Sequence, residues 1–150
     1  MTKRQVAGFS LLEVLVTVLV LSIGLLGLAG LQASSLRNNH SAFLRSQAVI
    51  KAYEGIDRMR ANRAAAVAGS YNGTFDADYT VSDQTCSSVC SNAQMAASDL
   101  REWVTALRRL PSGQGQIAVT NAGLTTVLVS WDDDRNPDTG LQTFRLDTLL

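Results

Sequence analysis

Gly8-Phe9-Ser10-Leu11-Leu12-Glu13-Val14 opens the stretch that decides the fold, because no charged residue follows from Val14 to Leu36. Most positions in that run are Val, Leu, Ile, Ala or Gly. A helix of about 20 such residues spans a bilayer. The apolar core of a cleaved secretory signal is shorter, about 7–15 residues. Ala29-Gly30 and Ala33-Ser34 mimic small-residue cleavage sites, so length alone leaves that alternative open. Lys3 and Arg4 precede the run. By the positive-inside rule they keep the N-terminus in the cytoplasm and send the remainder across the membrane.

Glu13 stands inside the apolar segment, with Phe9, Leu11 and Leu12 before it. A carboxylate at the centre of a membrane helix costs about 2.5–3.5 kcal/mol, and less near the interface. Such a group calls for a cationic partner. The plain alternative is an interfacial glutamate that ends the apolar stretch. Gly24, Gly27 and Gly30 recur every third residue. Small residues at helical spacing let helices approach closely in lipid, and glycine also softens a helix.

The helical pattern continues past Leu36. Val49, Ala52, Tyr53, Ile56 and Met59 fall at three- and four-residue steps, which predicts an apolar face. Arg37, Arg45, Lys51, Glu54, Asp57, Arg58 and Arg60 read as a solvated face. The pattern predicts one helix from about Phe9 to about Ala66, on the order of 85 Å long. Its parts are an apolar half over 9–36 and an amphipathic half over 37–66.

Residues 67–150 read as a soluble α+β region. Ala68 to Val81 is polar, with Asn72-Gly73, and reads as a loop with a short strand near Tyr79–Val81. Asn92 is placed to cap a helix to Leu110, with Leu100, Trp103, Val104, Leu107 and Leu110 inward. Three alternating segments follow: Ile117 and Val119; Val127, Val129 and Trp131; Phe144, Leu146, Thr148 and Leu150. Short connections make them an antiparallel meander, one face of which can pack on the long helix.

Little chemistry is on offer. Lys and Arg number 13, as do Asp and Glu, so no global field draws the chain to nucleic acid. Cys86 and Cys90 suit a disulfide in an oxidising compartment. With His40 the sole histidine, neither a zinc site nor a Ser/His/Asp site is supported. Asp132, Asp134, Asn136 and Asp138 alternate as Ca²⁺ ligands do in an EF-hand loop. The later glutamate is missing, however, Pro137 disrupts the glycine-turn position, and an acidic turn between strands is the preferred reading. No cofactor is expected.

Lys3, Arg4 and Gly8 through Glu13 together resemble the prepilin leader of type IV pilins and type II secretion pseudopilins. The resemblance implies a leader over 1–8, cut by a prepilin peptidase between Gly8 and Phe9, with N-methylation of Phe9. Glu13 then pairs with the new α-amino group on Phe9 of a neighbouring subunit. Cys86, Gln94-Met95-Ala96-Ala97, Asp99-Leu100, Glu102-Trp103, Leu110-Pro111, Gly113, Gly115 and Val129 through Arg135, with Gly24-Leu25-Leu26-Gly27, are similar to PilV-type minor pilins. That similarity implies a pilin-like lollipop and a non-enzymatic minor pilin that primes type IV pilus assembly and supports twitching motility. Implied partners are other minor pilins, the major pilin, the prepilin peptidase and the inner-membrane assembly platform. Implied locations are the inner membrane, with the C-terminal region in the periplasm, and then the pilus. A type II secretion pseudopilin shares the leader and shape. A membrane-tethered periplasmic binding module or enzyme is the alternative from another class.

Overall fold

The structure is a computed structural model that describes residues 8–83, 85–87, 89–134 and 138–150. Its elements, in chain order, are helix α1 (Leu11–Ala61), helix α2 (Arg63–Val67), strand β1 (Gly73–Phe75), helix α3 (Asn92–Leu107), and strands β2 (Gln114–Val119), β3 (Leu124–Trp131) and β4 (Gln142–Leu149). The chain's contacts separate two units, residues 1–40 and 41–150.

In the first unit every residue of α1 up to His40 is exposed. Ser10 begins the helix. Its carbonyl accepts from the Glu13 and Val14 N–H groups, and its hydroxyl accepts from Glu13 N–H at 3.3 Å. This is the N-cap geometry that satisfies otherwise orphaned donors. The hydroxyls of Thr17 and Ser22 bond back to the carbonyls of Val14 and Val18, so these polar groups are satisfied within the helix.

The second unit is an α+β domain. Its sheet has four strands in the order β1-β2-β3-β4, all neighbours antiparallel. The expected meander is β2-β3-β4. In β2 and β3 the alternation places Ile117, Val119, Val127, Val129 and Trp131 on the buried face. Leu44, Ala48, Ala52, Ile56 and Met59 of α1 join that core, as do Trp103, Val104 and Leu107 of α3. Leu110 is buried too, although α3 has already ended at Leu107.

Four local expectations are corrected. The helix expected to reach Ala66 breaks at Asn62 and resumes as the short α2. Asn62 turns its amide to other elements, donating to Asn92 C=O at 2.7 Å and to the Tyr71 hydroxyl at 3.3 Å. The strand expected near Tyr79–Val81 is absent, and β1 forms earlier, at Gly73–Phe75. There the Asn72 carboxamide pairs with both backbone groups of Val119, acting as one more residue of the ladder. Asp76 meanwhile accepts from Asp78 N–H in a turn that ends the pairing. The cap of α3 is Ser91 rather than Asn92, because Ser91 and Gln94 form a reciprocal capping box. Finally, Tyr53 is 51% exposed, and the buried face of α1 runs instead through Leu44, Ala48, Ala52, Gly55, Ile56 and Met59.

Candidate processing and assembly site

Gly8 and Phe9 lie just ahead of α1. Both are exposed, with open space around the position a Cβ would take at Gly8. Lys3 and Arg4 lie outside the described residues. Glu13, four positions after Phe9, is exposed in the first helical turn. Its N–H is the group Ser10 caps. Ser10-Leu11-Leu12-Glu13 is thus a serine cap followed three residues later by glutamate, a local signal the sequence reading passed over. A carboxylate in that turn also faces the positive end of the helix dipole.

From Val14 to Leu36 the helix surface is mostly apolar, with Thr17 and Ser22 among its few polar side chains. Leu12, Leu19, Leu26 and Leu31 are each more than half exposed. The stretch is long and apolar enough to cross a membrane, with mean hydropathy 2.6 and nothing in that window buried by the chain itself. At Gly24, Gly27 and Gly30 an added Cβ would meet nothing within 4 Å. Among the described residues, their lack of side chains thus relieves no crowding. Further along α1, within the second unit, Phe43, Ile50 and Tyr53 remain exposed on its outer side.

Two sets of charged residues were legible in sequence but not their arrangement. Arg58 is a hub. It donates to Glu54 of its own helix at 3.1 Å, and to Asp99 and Glu102 of α3 at 3.3 and 2.9 Å. Lys51 completes the cluster by pairing with Glu54 at 2.8 Å. Burial works against the Arg58 charge, but the bonds to Glu102 and Glu54 outweigh it and raise its pKa. Burial likewise works against ionised Glu54, and the bonds from Lys51 and Arg58 win, lowering its pKa. Tyr71 donates to Asp99 from a buried position; desolvation and that bond push its pKa well above the ordinary tyrosine range. The expected solvated face of α1 is therefore, at Arg58, a joint between helices.

Cys86 and Cys90 form a disulfide, and the Cys86 N–H donates to the Ser98 hydroxyl on α3. In the acidic turn, Asp132 accepts from Asp134 N–H, Asp134 accepts from Thr139, and Asp133 accepts from Ser41. Asn136 lies outside the described residues. Among the described residues no group of three His, Cys, Asp or Glu side chains is placed to hold a metal. His40 is exposed on α1.

Residues 3–29 match the model of the prokaryotic N-terminal methylation motif. Residues 30–101 match a family model described as type IV pilin Tt1218. The two matches abut, running from residue 3 through the apolar helix into α3. The chain belongs to the type IV pilin superfamily. No curated protein and no solved structure gives a significant match. As a pilin or pseudopilin subunit, the chain comes from a family of structural proteins whose members are processed at this motif and associate through pilus components. The exposed apolar helix fits membrane anchoring in such a subunit.

Proposed function

We propose that this pilin is a minor, PilV-type subunit that primes assembly of a type IV pilus and so supports twitching motility. The observation that carries the reading is the head of α1: an exposed Gly8 and Phe9, Glu13 four residues on, then an apolar helix that no described residue covers. Cleavage after Gly8 leaves a new cationic α-amino group on Phe9. Glu13 of one subunit neutralises the Phe9 amine of the next, removing two charges that lipid or a dry filament core penalises. Gly24, Gly27 and Gly30 supply flat surface for close helix contact. Before assembly the subunit waits in the inner membrane, with residues 67–150 in the periplasm, where the Cys86–Cys90 bond is stable. Its partners are the prepilin peptidase, the assembly platform, other minor pilins and the major pilin.

Co-expression with a prepilin peptidase followed by mass spectrometry of the N-terminus tests this. The expected product starts at methylated Phe9. Gly8→Ala slows processing less than Gly8→Trp. Glu13→Ala leaves processing intact and removes the subunit from sheared pili. Normal incorporation of Glu13→Ala would refute the pairing.

A further inference from the structure

The sheet ends on one side in β4, whose neighbour is β3. β1, at the other edge, has three residues, whereas β4 has eight. An open edge of that length can template another strand, and proteins commonly guard it with proline, a bulge or a charge on the inner face. β4 carries none of these. Gln142–Leu149 contains no proline, and its residues pair one-to-one with β3. Its inner row is Phe144, Leu146 and Thr148. Phe144 and Leu146 pack against the core, yet both are only partly buried.

The ladder fixes which backbone groups point to the open edge. Leu150 N–H donates to Gly123 C=O, one step beyond the Leu124–Leu149 pair. Bonded and non-bonded pairs alternate along an antiparallel ladder. Phe144, Leu146 and Thr148 therefore turn their N–H and C=O toward β3. Thr143, Arg145, Asp147 and Leu149 turn theirs outward, where no other backbone segment among the described residues bonds to them. The side chains of these four lie on the face away from the core. There Arg145 donates to Asp147 at 2.7 and 3.1 Å, and Thr126 donates to Asp147 at 2.6 Å. The Arg145 and Asp147 side chains are still 64% and 47% exposed, so both charges can meet a neighbour.

We propose that the open edge of β4 pairs with β4 of a second copy of this chain, antiparallel and centred on Leu146. The strand is self-complementary about that residue, because Arg145 and Asp147 flank it. A two-fold axis at Leu146 sets Arg145 of each copy opposite Asp147 of the other, and Thr143 opposite Leu149. These residues have outward backbone groups, so each such pair exchanges both N–H···O bonds. The two arginines and two aspartates make a square in which every neighbour has the opposite sign, and directly opposed unlike charges stabilise paired strands. A slip that keeps the faces but moves the centre to Arg145 or Asp147 sets like charges opposite each other. Parallel pairing in register does the same, so the charges select one register. On the inner row Leu146 meets Leu146 and Phe144 meets Thr148, which covers apolar surface the single chain leaves partly open. The contact is isologous, the same patch on both copies. It lies wholly within the second unit and is independent of cleavage at Gly8.

Oxidative cross-linking of the full chain in detergent micelles tests this. Cys86 and Cys90 are bonded to each other, so an introduced thiol is the free one. Leu146→Cys links to its own copy, because a non-bonded antiparallel pair holds its Cα atoms about 4.5 Å apart. Thr143→Cys links roughly ten-fold less, because its counterpart lies about 20 Å away along the strands. In the Leu146→Cys background, Arg145→Asp or Asp147→Arg alone makes both opposed pairs repulsive and weakens dimerisation roughly ten-fold. An equal mixture of those two charge variants makes both opposed pairs attractive again and restores the link. Circular dichroism checks the fold of each variant. A link that forms equally at both positions, or that survives either charge variant, overturns the proposal and assigns association to another surface. So does a folded mixture that fails to recover. A chain that stays monomeric at every concentration overturns it too, and would leave the edge to a strand from a different protein.

Discussion

From Leu11 to His40 every residue of α1 is exposed, whereas from Ser41 to Ala61 the same helix buries Leu44, Ala48, Ala52, Gly55, Ile56 and Met59. Both stretches are helical, and both are rich in apolar residues. They differ in where those residues fall. From Val14 to Leu36 the first carries no charge and is mostly apolar on all faces, which suits lipid or the interior of a larger assembly. The second concentrates its small and apolar residues on one side, where the sheet and α3 cover them. One stretch takes its stability from its own chain, and the other must find it elsewhere.

The largest expected break in this contrast is Trp103→Ala. Trp103 is 1% exposed and packs edge-on against Phe75, with ring centroids 5.6 Å apart. Its loss should cost about 3–5 kcal/mol, read as a lower melting temperature by near-ultraviolet circular dichroism in detergent. Next is Arg58→Gln, which unties α1 from α3 and should cost about 1–3 kcal/mol by the same measurement. Its pH signature is specific. The Glu54 carboxyl titrates below its ordinary value of 4.5. The Glu54 contribution is therefore full above that value and fades as pH falls through the lowered pKa. In Arg58→Gln the acid-side loss of stability should be shallower, which an acid titration of melting temperature reads. Smallest is Leu25→Ala. It should leave the melt of residues 41–150 unchanged within about 0.5 kcal/mol, because Leu25 is 65% exposed. A drop as large as that of Trp103→Ala would abolish the contrast.

The order of elements in the second unit was legible because alternation and helical spacing act locally. Trp103, Val104 and Leu107, and the alternating residues of β2 and β3, lie inward as their spacing requires. The head of α1 was legible for another reason: its motif is contiguous. What the sequence hid depends on partners distant along the chain. Arg58 looks like any surface arginine until Asp99 and Glu102 are brought beside it. The break at Asn62 has no proline or glycine to announce it, and is made by bonds to Tyr71 and Asn92. Tyr53 has the spacing of a core residue, yet the sheet and α3 cover the side of α1 running through Gly55. The cap of α3 is the exception, a local signal: Ser91 takes it over Asn92 because Gln94 stands three residues after Ser91.

Gly55 also governs how the second unit grips its part of α1. An added Cβ there would stand 3.1 Å from the Trp103 indole nitrogen, which donates at 2.7 Å to the Lys51 carbonyl. The bare glycine lets an α3 side chain fasten to the backbone of α1 itself, one turn below. A pull along α1 is then resisted by a peptide unit, which cannot swing aside as a side chain can. Axial slippage by a single residue would break that bond and drive the next side chain into the indole ring.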